Sequence, residues 1–260
     1  MQYAKQHFIS YGDDNFANSK KRIYQEARNM GVFETVNVYG PEFISKDFKS
    51  KFEYVFKHSK GAGYWIWKYY IISEKLKELN DGEFLIYCDA GCRVNPKGKE
   101  RYFEYLDMLN NSEYGILSFP LQNFKEDKEL GTKEKIWTTK ELLTYFDYSD
   151  DSKEANTVQL CATVIIMKKN NHLQKVIDEY LGLLEFDSKL ITDYYNKNQK
   201  SYFKDNRHDQ SIFSLLRKKY GSVLLDIDET VYYALQTSSV PNWSVPEKDK
   251  YPFWATRIKH

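Results

Sequence analysis

The sequence predicts an α/β layered fold, a mainly parallel central sheet flanked by helices, on three observations. Short strand-like apolar runs alternate with stretches of helical periodicity along the chain. Two runs, residues 84–88 (FLIYC) and 114–119 (YGILSF), are largely continuous rather than alternating, as strands covered on both faces are. Each run stops at a turn or breaker residue, Asp89 and Pro120.

In chain order, residues 7–10 form a short strand that ends in the turn cluster Tyr11-Gly12-Asp13-Asp14. Residues 18–30 are polar and helical, and 33–39 (FETVNVY) alternate as a strand. From Trp65 the apolar residues Trp65, Tyr69, Ile72, Leu76 and Leu79 make one helix face, which Asn80-Asp81-Gly82 terminates. Residues 122–135 are almost wholly polar and read as a surface loop. A helix over 138–146, a second polar loop over 147–156 and a strand over 157–167 follow. Helices over about 171–186 and 209–220 and a strand over 223–226 close the alternation. The tail from Thr237 carries prolines and aromatics without a period.

Composition excludes several classes. The 260 residues are near the length at which one core stops growing, so one domain is expected. Lys plus Arg is 38 against 37 for Asp plus Glu, which leaves no basic field for nucleic acid. No apolar run approaches the ~18 residues of a membrane span, and the amino terminus lacks the layout of a signal peptide. Three cysteines, Cys88, Cys92 and Cys161, lack zinc spacing and point to a reduced, cytoplasmic setting. The 22 tyrosines, 16 phenylalanines and 5 tryptophans accompany abundant Lys, Asn and Ile, a compositional bias. Stacking on sugar or base faces is the functional alternative.

In a parallel α/β sheet, ligands sit beyond the carboxyl ends of the strands. There the strand 84–88 delivers Asp89, and Gly91 lets a ligand approach the backbone. A carboxylate in that place either holds a hard cation with a diphosphate, bonds sugar hydroxyls, or merely caps a turn. The stretch Lys60-Gly-Ala-Gly-Tyr-Trp-Ile-Trp-Lys68 sets two glycines before a helix, a phosphate-binding arrangement or simply aromatic packing beside a loop. In Arg207-His-Asp-Gln-Ser-Ile-Phe, residues His208, Asp209 and Gln210 crowd a helix amino end, more than a cap by Asp209 requires.

The order of these segments resembles the GT-A glycosyltransferases, the nucleotide-diphospho-sugar transferase superfamily. The Tyr-Trp-Ile-Trp-Lys helix followed by LIYCDAGC is similar to small bacterial glycosyltransferases of surface-polysaccharide assembly. Asp209-Gln210-Ser211-Ile212-Phe213 is similar to the Asp-Gln-x-Ile-Phe segment of retaining enzymes related to glycogenin. The resemblance implies a single GT-A domain over 1–260, with a donor half to about residue 120 and an acceptor half beyond it. It implies a nucleotide-sugar donor, a UDP-sugar first, with Ser10, Tyr11, Gly12, Asp13 and Lys68 beside it. Asp89-Ala90-Gly91 takes the place of the Asp-x-Asp motif that holds Mn²⁺ or Mg²⁺, with Gly91 where the second Asp stands. His260 is the candidate further metal ligand with Asp89. Arg257 and Lys259 are the cationic alternative that neutralises the diphosphate.

Asp209, His208 and Gln210 match the catalytic end of the site. Both stereochemical courses stay open, and the Asp-Gln-x-Ile-Phe similarity favours retention. Trp137 and Gln159 flank polar loops and are the candidate acceptor contacts, with a core anchor the alternative for Trp137. The implied function is hexosyl transfer to a glycan or lipid-linked acceptor of capsule, O-antigen or lipopolysaccharide. It would take place in the cytoplasm or at the inner face of the membrane, peripherally attached. A nucleotidyltransferase of related fold and a non-catalytic glycan-binding module are the other readings. The first lacks its glycine-rich basic signature after the first strand, and the second has no use for Asp89 at a strand end.

Overall fold

The structure, a computed structural model, describes residues 3–121, 131–230, 249–256 and 258. Its centre is a six-stranded sheet in the order β2-β1-β3-β6-β5-β7. The strands are β1 (Gln6–Tyr11), β2 (Thr35–Tyr39), β3 (Phe84–Cys88), β5 (Ile116–Ser118), β6 (Val164–Lys168) and β7 (Val223–Leu224). β1 pairs in parallel with β2 and β3, and β5 with β7. β6 runs antiparallel to both of its neighbours, β3 and β5. A second, two-stranded sheet joins β4 (Arg93–Val94) to β8 (Phe253–Trp254).

The longer helices are α1 (Ala17–Met30), α2 (Trp67–Glu78), α3 (Lys99–Asn110), α4 (Asn171–Phe186) and α5 (Asp209–Tyr220). They cover both faces of the sheet, so β1 and β3 are buried at every residue. Alternation along β3 divides the core. Leu85 and Tyr87 join Tyr69, Ile72, Tyr180, Ile212 and Phe213 on the α2, α4 and α5 side. Phe84, Ile86 and Cys88 join Ile23, Tyr102, Tyr105 and Leu106 on the α1 and α3 side. All three cysteines are free and buried, and burial pushes their thiols up. Among the described residues no helix is long and apolar enough to cross a membrane.

Four sequence expectations are corrected. The long helix starts at Trp67 rather than Trp65, because Gly61, Ala62, Gly63, Tyr64 and Trp65 all have positive φ, between 50° and 93°. The strand expected over 157–167 is confined to Val164–Lys168. Before it, pairing is reduced to isolated antiparallel bridges, Val158 with Lys133 and Leu160 with Pro120, and three carbonyls face side-chain cations: Leu160 and Cys161 accept from Arg217, and Ala162 accepts from Lys68. The polar stretches expected as loops contain helical turns, Glu134–Trp137 and Lys153–Asn156, the second capped by Ser152. Residues 122–130 of the first stretch, and much of the tail, lie outside the described residues. Helix α3 has no counterpart in the sequence reading above, although Tyr102, Tyr105, Leu106 and Leu109 fall at helical spacing and are buried.

Candidate functional site

Three charged side chains meet beyond the carboxyl end of β3. Alternation places Tyr87 on the α2 and α5 face, and the chain leaves the strand at Asp89 on that side. Lys68, in the first turn of α2, is 2% exposed and reaches Asp209 Oδ2 at 2.6 Å and Asp89 Oδ1 at 3.3 Å. Its Nζ also donates to the Ala162 carbonyl at 3.1 Å and lies 5.2 Å from the Tyr87 ring centroid. The Tyr87 hydroxyl donates to Asp89 Oδ1 at 2.6 Å. Asp209 is 5% exposed, whereas the Asp89 side chain is 31% exposed and is the open member of the group.

Electrostatics follow from this burial. Desolvation alone would lower the Lys68 pKa, but the carboxylates of Asp209 and Asp89 outweigh it and hold Lys68 above its ordinary value. Burial pushes Asp209 up to about 6 against the opposing pull of Lys68. At pH 7 the Lys68–Asp209 pair is therefore ionised. The alternative of Asp209 as a plain helix cap meets a different geometry. The N-cap of α5 is His208, which makes no side-chain cap bond, and Asp209 Oδ2 is engaged by Lys68.

The other expected residues divide by position. Ser10, Tyr11 and Gly12 are buried at the end of β1, and Tyr11 stacks on Trp67 with ring centroids 3.8 Å apart. Asp13, half-buried, accepts from the Asn15 amide and caps the short turn Asp14–Phe16. Of the two alternatives for Gly61 and Gly63, the backbone geometry favours aromatic packing over a phosphate cradle. The amides of residues 62 to 66 donate to carbonyls of residues 58 to 63 and are spent within the left-handed turn. Gln159 is fully buried and its amide is engaged. Its Nε2 donates to Thr138 and Ser211, and its Oε1 accepts from Gln210 Nε2 at 2.9 Å. It is therefore placed to position Gln210 rather than to meet an acceptor. Trp137 is half-buried, its Nε1 donates to the Gly131 carbonyl, and the Arg207 guanidinium stacks 3.8 Å from its ring centroid.

The Asp89–Cys92 turn is held from behind. Arg22 Nη2 donates to the Ala90 carbonyl at 3.0 Å and to the Cys92 carbonyl at 3.1 Å. The Gly91 carbonyl accepts from the Thr256 hydroxyl at 2.8 Å and the Ile258 amide at 3.0 Å. Strand β8 thus leads to Thr256 and Ile258 at the Asp-Ala-Gly turn. Arg257, Lys259 and His260 lie outside the described residues. Sequence reasoning missed Tyr87, Arg22 and Thr256. Tyr87 alone carried a signal, because it stands two residues before Asp89 in a strand.

Docking of this tail makes a testable demand at Gly98, where an added Cβ would sit 2.4 Å from Pro252 N and from the Tyr251 carbonyl carbon. Gly98→Ala is expected to displace the tail and to cost about 1–3 kcal/mol, as overpacking does. Denaturation and limited proteolysis of the tail would read this out. A variant as stable and as protease-resistant as the parent would mean that the tail is not seated there.

No protein-family profile matches the sequence, and no curated protein matches it. Solved structures do match in fold. A glycosyltransferase involved in glycosylation of the major capsid of the virus PBCV-1 is similar at a TM-score of 0.50 and 10% identity, over 96% of this chain and 93% of that one. Mouse xyloside xylosyltransferase 1 is similar at 0.47 and 9% identity, over 87% and 86% of the two chains. The galactosyltransferase LgtC, solved with donor and acceptor sugar analogues, is similar at 0.43 and 11% identity, over 95% and 86%. The first of these carries the fold argument: the chain has the mixed α/β architecture of a GT-A glycosyltransferase.

Proposed function

We propose that the chain is a glycosyltransferase that moves a hexosyl group from a nucleotide-diphosphate donor, a UDP-sugar first, to a glycan or lipid-linked acceptor. Assembly of a bacterial capsule, O-antigen or lipopolysaccharide is the setting we favour, in the cytoplasm or at the inner face of the membrane. The observation that carries the reading is the buried Lys68 ammonium bridging Asp209 and Asp89 at the ligand edge of a GT-A-like sheet. A glycan-binding module has no need of such a charge cluster.

In this reading Asp89 faces the donor, and Asp209, fixed by Lys68, holds the transferred sugar with Gln210 beside it. Gln159 and the Ala162 amide orient the Gln210 side chain. On the retaining course, the bond from the anomeric carbon to the diphosphate oxygen breaks. The acceptor oxygen bonds to the same face, and its proton passes to the departing phosphate oxygen. Arg257 and Lys259 are proposed to counter the charge that develops on the diphosphate.

We infer that the donor is held without a resident Mn²⁺ or Mg²⁺ ion. Asp89 Oδ1 already faces the Tyr87 hydroxyl and the Lys68 ammonium, Gly91 brings no carboxylate, and among the described residues no three His, Cys, Asp or Glu side chains form a group that could hold a metal ion. We therefore draw no step through a cation. Donor binding is expected to be nearly metal-independent, with the apparent Kd for UDP changing less than about threefold between EDTA and Mn²⁺. Calorimetry would check this, and a dependence of tenfold or more would assign a cation held with residues such as His260.

The function itself is tested by thermal shifts over a panel of nucleotide sugars, followed by assay of hydrolysis and transfer. Stabilisation and turnover with at least one donor are expected. A panel in which no nucleotide sugar binds would sink the reading.

A further inference from the structure

His208 stands next to Asp209, but its ring enters a different cluster. The residue is 3% exposed and holds φ 55° and ψ −118°, a backbone conformation that glycine adopts far more readily. Its imidazole packs against Tyr64 and Trp65, with ring centroids 4.8 and 5.6 Å away. Nδ1 lies 2.8 Å from the Ile191 carbonyl oxygen. A carbonyl can only accept, so Nδ1 carries the proton and Nε2 of the neutral ring is an acceptor. Burial lowers the His208 pKa to about 4, which keeps the ring neutral at pH 7.

Nε2 has no hydrogen-bond partner in the structure, and it faces Asp193 Oδ1 at 3.7 Å. Two acceptors thus converge where neither satisfies the other. The carboxylate is part of a held group: Lys60 lies 3.2 Å from it, the Tyr64 hydroxyl donates to it at 3.3 Å, and Asn196 joins it to Asp205. The Asp193 side chain is 37% exposed, so the group opens to solvent. Asp193 Oδ1 already accepts from Lys60 and Asn196, so the atom left without a donor is Nε2, and a group that satisfies it beside that carboxylate is a hydroxyl donor without negative charge.

We propose that His208 Nε2 and Asp193 form a subsite that accepts the hydroxyls of a neutral sugar ring and disfavours an acidic sugar. The sugar class rests on the glycosyl-transfer reading above. One chemistry has two sources here, the sugar of the donor and the ring of the acceptor.

The test is transferred-saturation NMR on the full chain with methyl β-D-galactoside, methyl β-D-glucoside, methyl β-D-glucuronide, UDP, UDP-glucose and UDP-galactose. A neutral methyl glycoside is expected to bind if the ring comes from the acceptor. UDP-hexose is expected to bind tighter than UDP if the ring comes from the donor. In either case Asp193→Asn is expected to weaken the sugar contribution tenfold or more, and the glucuronide to bind at least tenfold more weakly. Because Asp193 also ties two loops, the parent protein supplies a second readout. The ¹⁵N resonance of His208 Nε2 should move on sugar binding and keep its Nδ1–H tautomer.

Binding of UDP with no sugar contribution, or with one unchanged in Asp193→Asn, overturns the subsite and leaves the transferase reading standing. An unmoved Nε2 resonance in the sugar-bound protein overturns it as well. Binding of a neutral glycoside through Asp193 by a protein that binds neither UDP nor either UDP-hexose would keep the subsite and overturn the transferase reading. No binding of any probe overturns both.

Discussion

Lys68→Met is expected to lower stability by about 3–5 kcal/mol and to abolish transfer. The cost is that of leaving a buried carboxylate without its counter-charge. Lys68 is nearly fully buried, and Asp209 has been taken out of water in exchange for that 2.6 Å contact. Methionine matches the length of the stem but returns neither the charge nor the bond to the Ala162 carbonyl. The denaturant midpoint should fall while the slope of unfolding stays the same. Adding Asp209→Asn should recover part of the loss, because the two residues form one interaction. A loss under about 1 kcal/mol, or strictly additive effects, would falsify the buried pair as the organising contact of the site.

Asp209→Asn alone is expected to slow turnover about a hundredfold, the size of a lost contact worth ~3 kcal/mol in the transition state. Asparagine keeps the shape and the hydrogen-bonding capacity, and Lys68 keeps Asp89 and the Ala162 carbonyl as partners. The fold should therefore persist with a smaller loss than Lys68→Met. The pH profile gives a second check. Burial holds the Asp209 carboxyl at about 6, so the ionised form predominates above that pH and is titrated away below it. Activity of the parent should fall as pH drops through about 6, and the residual activity of the variant should lack that limb. Reduced stability with normal turnover per folded molecule would make Asp209 a structural residue only.

Some of this was legible from local pattern because the physics there is local. The continuous apolar run 84–88 is consistent with a covered strand, which it forms, and the breaker after it puts Asp89 at the strand end. Helix α5 was legible from the spacing of Ile212, Phe213, Leu215 and Leu216, all of which are buried. By contrast, the helix boundary at Trp67 was hidden. Left-handed backbone at Ala62, Tyr64 and Trp65 runs against the preference of those residues and is imposed by packing around them. The strand shortened at Val164 was hidden for a related reason. Its apolar approach looks extended, but Arg217, 57 residues away in sequence, takes the Leu160 carbonyl.

The sequence by itself determined the α/β layering, the strand-end position of Asp89 and the polar triplet at the start of α5. Periodicity and turn residues act over a few positions, so they can be read in order along the chain. Only the tertiary structure decided that Lys68 pairs with Asp209, 141 positions away, rather than standing free for a phosphate. It also decided that Gln159 is spent inside the protein and that His208 turns away from Asp209 toward Asp193. The reason is the cost of burying charge. An ammonium removed from water must find carboxylates from whichever elements fold against it, and composition and spacing do not record which those are.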